Sequence, residues 1–186
     1  MEVSEQIISQ TDLRYESLHL FIAQELRRHD FREKAETVFE KLREHFETTY
    51  SENPDNVTSL RILGELFYEL NELNEARAVF ENLADRLPEN IQWKGYLGIV
   101  LAKKGERKQA MDIMEQLRDW ERPYLNGRNY FWMALIRANL GDLDDAVDLL
   151  AEAHRRGVPF TSFHLSTGIE PLQDYPGFIE FMKPRG

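Results

Sequence analysis

The side chains best equipped for chemistry here are five histidines, His19, His29, His45, His154 and His164, and a dense set of carboxylates. Two histidines four apart, with a glutamate between them, would place zinc ligands and a general base on one helix face. No histidine pair has that spacing or any other paired metal spacing. His29 and His45 have acidic neighbours, as expected in a stretch so rich in glutamate, and all five read as solvated surface histidines. Glu33, Glu36, Glu40, Glu44 and Glu47 follow at steps of three and four, with Lys34, Lys41 and Arg43 interspersed. That is a solvated helix face with no sign of an acid–base pair. No serine stands in a nucleophile elbow, and no glycine-rich loop is available to cradle a phosphate. The absence of cysteine removes a thiol nucleophile, a disulfide framework and a thiolate metal site. Gly95 and Gly98 lie inside an apolar helical pattern, where packing explains them. The residues predict a chain with no enzymatic activity, no cofactor and no metal.

Composition narrows the partner class. A net charge of -10 argues against a broad nucleic-acid or anionic-membrane surface, which would need a basic face. With 186 residues and 42% hydrophobic content, the chain can bury a sizeable core as one domain. The first residues, Met1, Glu2, Val3, Ser4, Glu5 and Gln6, lack the basic-then-apolar order of a signal peptide. The longest apolar runs, such as Ile99 to Ala102, fall far short of the ~20 residues a membrane span needs. A soluble, cytoplasmic protein is expected, and the lack of cysteine fits a reducing compartment.

The elements that must position any binding residue are best seen between Val57 and Asn90. Leu60, Leu63, Gly64 and Phe67 precede a polar break at Asn71 and Glu72, and Ala76, Phe80, Leu83 and Pro88 follow. Steps of three and four put each run on one helical stripe, so the two runs form a helical hairpin of about 34 residues. Gly64 and Ala76 suit a close crossing of helix backbones. The pattern recurs downstream. Trp93, Leu97, Gly98 and Leu101 turn at Gly105 into Ala110, Ile113, Met114 and Leu117. Tyr130, Met133, Ala134 and Leu140 turn at Gly141 into Ala146, Leu149, Leu150 and Ala153. Ala76 to Ala110 is 34 positions and Ala110 to Ala146 is 36, the two extra falling in the loop at residues 122–127. Upstream, Leu18, Phe21, Ile22, Ala23 and Leu26 pair with Ala35, Val38, Phe39, Leu42 and Phe46 as a degenerate first hairpin. Ala35 to Ala76 is 41 positions, and the seven additional residues, about two helical turns, predict a second helix extended towards Tyr50. Residues 1–10 are a short lead-in helix or arm, and Thr11 or Asp12 can cap the helix after it. After Gly157, a natural helix stop, the repeat ends.

The spacing and its small-residue slots resemble the tetratricopeptide (TPR) repeat family. The resemblance implies an all-α, TPR-like α-solenoid of about four helical hairpins with a C-terminal capping segment. It would be one domain over residues 1–186, with the degenerate hairpin at 11–50, repeats at 57–90, 91–126 and 127–157, and a capping tail at 158–186. The run from Glu170 to Phe178 resembles a closing segment seen after TPR arrays in bacterial regulatory proteins. For this tail, an end cap over the last repeat is the first reading, and an aromatic segment lying in the array's own groove the second.

The resemblance also implies where a ligand would lie: along a stripe of the first helix of each repeat. Its slots are Thr58, Arg61, Glu65, Tyr68 and Glu69 in one repeat, and Gln92, Gly95, Ile99, Ala102 and Lys103 in the next. The last repeat offers Arg128, Phe131, Leu135, Ala138 and Asn139. Arg61, Glu65, Tyr68, Ile99, Lys103, Arg128 and Phe131 are the expected peptide-binding residues, suited to a protein or peptide partner with acidic and apolar side chains. Pairing of Arg61 with Glu65 or Glu69 inside one helix is the plain alternative. A chaperone-tail role is not expected, because Glu65 and Tyr96 stand where a carboxylate clamp would need asparagine. The expected function is a non-enzymatic interaction module with a concave peptide groove. The alternative is a structural, oligomerisation or regulatory module of a larger signalling polypeptide, in which a homo-oligomer forms through an end or convex face. Trp93, Trp120 and Trp132 are candidates for that contact, and Trp93 and Trp132 serve equally well as core between repeats.

Overall fold

In the computed structural model the described residues are 16–120, 125–164 and 166–183, with the side chains of 16 and 17 left aside. The expected lead-in, the Thr11 or Asp12 cap and residues 122–124 of the loop lie outside them. All regular structure among the described residues is helical. They gather into two compact units, the first ending at Glu72 and the second beginning at Leu73.

The first unit holds α1 (Glu16–Arg28), α2 (Arg32–Glu52) and α3 (Val57–Glu69). The helix α2 runs for 21 residues, so the excess spacing between Ala35 and Ala76 is spent on its C-terminal turns. It packs against both α1 and α3. Leu20, Ala23, Ala35, Val38, Phe39, Leu42, Phe46, Ile62, Leu63 and Leu66 make one buried cluster. Their steps of three and four are what a helix buried along one stripe requires. Asn56 caps α3, its Oδ1 accepting from the Ser59 amide at 3.0 Å. His19 departs from the surface reading of the histidines: it is 3% exposed, one turn before Ala23 on the packed face of α1.

The second unit holds α4 (Leu73–Arg86), α5 (Ile91–Lys103), α6 (Arg107–Arg118), α7 (Arg128–Asn139) and α8 (Leu143–Arg155). After them come a short α9 (Thr161–His164), a 3₁₀ turn (Glu170–Leu172) and α10 (Pro176–Phe181). The helix α5 is central here, touching α4, α6 and α7, while α8 packs along α7.

Each hairpin turns in the same way. Asp30, Asn71, Gly105 and Gly141 have φ of 62°, 62°, 77° and 84°, five residues before Ala35, Ala76, Ala110 and Ala146 respectively. This left-handed step suits Gly, Asn and Asp, and reverses the chain without a long loop. In the second unit the residue after it is an acid that gathers cations. Glu106 accepts from Lys104 at 3.0 Å and Arg77 at 2.9 Å. Asp142 accepts from Arg137 at 2.8 Å and Arg107 at 2.6 Å. The Arg137 hydrogen bond, with Arg107 adding to it, holds the Asp142 carboxyl below the usual carboxylate range. Lys104 does the same for Glu106, with Arg77 and Gln109 contributing.

Candidate peptide-binding face

In the second unit the first-helix surface is built from α5 and α7, and two glycines set how closely these approach. A Cβ on Gly95 would fall inside the Trp132 ring, and one on Gly98 would overlap the Ile136 side chain. The glycines of α5 are therefore sockets for the large residues of α7, and Gly95 is covered by Trp132. A row of rings follows. Tyr96 stacks on Phe80 at 4.7 Å and meets Trp132 at 4.9 Å, and Trp132 meets Phe131 at 5.4 Å. Trp93 and Trp132, at 4% and 8% exposure, belong to this core between hairpins.

The tail crosses the same surface. Phe163 is fully buried and stacks on Phe131, with ring centroids 5.9 Å apart. Further along, Asn139 at the end of α7 donates its Nδ2–H to the Gly168 carbonyl at 2.8 Å. Gly168 has φ of +91°, and a Cβ there would stand 2.8 Å from Ile99 Cγ2. Thus Gly168 lies directly on the α5 stripe, at a point where only a hydrogen atom fits. Ile169 and Leu172 are buried just beyond it. His154 steadies the start of the tail, its Nδ1 3.0 Å from the Val158 carbonyl and its ring 4.0 Å from Phe160. The last part behaves differently. There α10 packs on α8, Phe178 is buried, and half-buried Phe181 meets Phe160 and Phe163. Tyr175 donates to Asp144 of α8. The tail both lies on the first helices and caps α8.

The seven expected binding residues have different surroundings. On α3, Glu65 and Tyr68 are 5% and 2% exposed. Arg61 pairs with Glu65 inside the helix. Glu69 is engaged elsewhere, taking Arg27 at 2.9 Å and Gln24 at 2.8 Å. In the second unit, Ile99 is fully buried and Phe131 is 7% exposed, both under tail residues. Lys103 and Arg128 are exposed. Gln92, Tyr96, Arg128 and Phe131, with Thr161 and Ser162 of the tail, border a cavity of about 520 Å³. Sequence reasoning passed over Gly168, Thr161 and Ser162, and read His154, which is half-buried, as a solvated surface histidine. For Gly168 there was a signal, a glycine preceded by Ser166 and Thr167, which marks a turn. Among the described residues, no group of three or more His, Asp or Glu is placed to hold a metal. None of the helices there is long and apolar enough to cross a membrane.

These observations define a class: an all-α fold of repeated hairpins whose first helices offer a stripe, closed by a non-repeat segment. The tetratricopeptide repeat family profile matches residues 22–91, which resemble repeats of that family. A solved thermophilic TPR protein from Thermus thermophilus, TTC0263, is similar at 22% identity. The likeness covers 89% of this chain and 86% of that one, with a TM-score of 0.50. A crystal structure of MamA shares 14% identity over 81% of this chain and 88% of that one, with a TM-score of 0.49. No curated protein matches.

Proposed function

We propose that this chain is a non-enzymatic protein-interaction module that holds a peptide or helical segment of a protein partner on its first-helix faces. On α5 and α7, Lys103 and Arg128 would meet the ligand and Ile99 and Phe131 would form its floor. By contrast, Glu65 and Tyr68 of α3 are buried and Arg61 is paired with Glu65. The observation that carries this reading is Arg128. The guanidiniums of Arg27, Arg43, Arg77, Arg107, Arg137 and Arg156 each hold a carboxylate. Arg128 makes no such pair among the described residues, yet it borders a cavity walled by Tyr96 and Phe131. In a protein of net charge -10, an unpaired cation beside aromatic walls attracts an acidic side chain followed by an apolar one. The pairing of Arg61 with Glu65 makes Arg128 the stronger determinant of the two.

The test is Arg128→Glu, assayed by capture of partners at several salt concentrations. An exposed pair contributes about 0.2–1 kcal/mol. Reversal turns an attraction into a repulsion of similar size, so capture should weaken by about two- to thirty-fold. Added salt should weaken the parent in the same direction, since it screens the attraction. Equal yields from parent and variant, with helicity intact, would remove this face from consideration.

A further inference from the structure

We infer that the tail around Phe163 and Gly168 is a detachable occupant of the α5–α7 face, and that a partner takes its place with a segment of the same chemistry. That segment carries an aromatic residue followed five positions later by a glycine in a turn and then an aliphatic residue. The inference rests on the proposed peptide-binding role of this face and specifies what the covered part of the stripe recognises.

Three observations separate this contact from ordinary packing between repeats. The tail here contains no helix longer than the four residues of α9, so it lies on the stripe as chain rather than as a further hairpin. Its recognition is partly through main chain: Asn139 Nδ2 donates to the Gly168 carbonyl at 2.8 Å, a bond that any peptide of suitable shape can accept. Its contacts with the face are few: the Phe163 ring on Phe131 and the Gly168 backbone on Ile99. By contrast, α10 is tied to α8 by Phe178 and by the Tyr175–Asp144 hydrogen bond. The segment over α5 and α7 can therefore lift while α10 stays attached, the Phe163 ring giving up its contact with Phe181 of α10 as it leaves. A tethered occupant competes at an effective concentration in the millimolar range, which would keep the face closed until a partner of adequate affinity arrives.

Gly168→Val in the full chain opens the face selectively. A side chain at that left-handed position is strained and meets Ile99 at once. Peptide uptake is followed by the anisotropy of a labelled synthetic peptide of residues 158–183. The G168V chain should bind it at least about ten-fold more tightly than the parent, whose own tail competes. Adding Asn139→Ala to G168V should reduce that uptake. A G168V chain that keeps its helicity but takes up no peptide overturns the inference. It leaves the partner-binding proposal to the Arg128 reversal, which reads the uncovered cavity. If G168V loses helicity, hydrogen exchange on the parent decides. Amides of residues 166–172 exchanging well ahead of those in α5 and α7 support detachment, and exchange in step with those helices overturns it.

Discussion

The Trp132 ring occupies the space where a Cβ on Gly95 would stand, so one methyl group separates this helix pair from a clash. Gly95→Ala gains up to about 1 kcal/mol of helix propensity. It also forces Trp132 off its position, at an over-packing cost of about 1–3 kcal/mol. The clash should win, because the ring is held between Tyr96 and Phe131 and cannot swing aside. Urea denaturation should therefore show a lower midpoint for Gly95→Ala, and a higher midpoint would mean that the ring yields freely. In the sequence, Gly95 was legible only as a glycine inside a helical pattern. Spacing alone predicts that something large must approach it. The identity of Trp132 as that residue depends on how α7 sits against α5, which no local pattern specifies.

At the scale of elements, the acids Glu106 and Asp142 tie neighbouring hairpins of the second unit together through Arg77 and Arg107. Asp142 is held below the ordinary carboxylate range first by its Arg137 hydrogen bond. A carboxylate with a lowered folded pKa stabilises the protein above its unfolded pKa. That contribution is lost as pH falls through the folded value. Comparing thermal midpoints of the parent and Asp142→Asn should show a steady gap at neutral pH. It should narrow as pH drops through and below the ordinary aspartate range, about pH 4. A gap that does not change with pH would mean that Asp142 contributes shape rather than charge. The alanine slots and the turns were legible here because small residues and left-handed positions are local demands. The clasps were not legible, because Arg77 and Glu106 lie 29 positions apart and their charges look like ordinary solvated surface. The path of the tail was hidden for a related reason. Periodicity stops at Gly157, and irregularly spaced aromatics carry no register to show which helices they cover.

At the scale of the whole molecule, the chain offers contrasting surfaces. One is the α5–α7 face with Arg128, the cavity and the tail. Another is the acidic face of α2, where Glu33, Glu36 and Glu44 are exposed. The proposed binding lies on the α5–α7 face. A photo-crosslinking residue in the full-length chain tests this most directly, at Gln92 on the cavity rim and, separately, at Glu36 on α2. The same partner should crosslink from Gln92, and the yield should fall when Arg128→Glu is added, while Glu36 gives none. Crosslinks that form from Glu36 and not from Gln92 would contradict the account and move the interface to the acidic face.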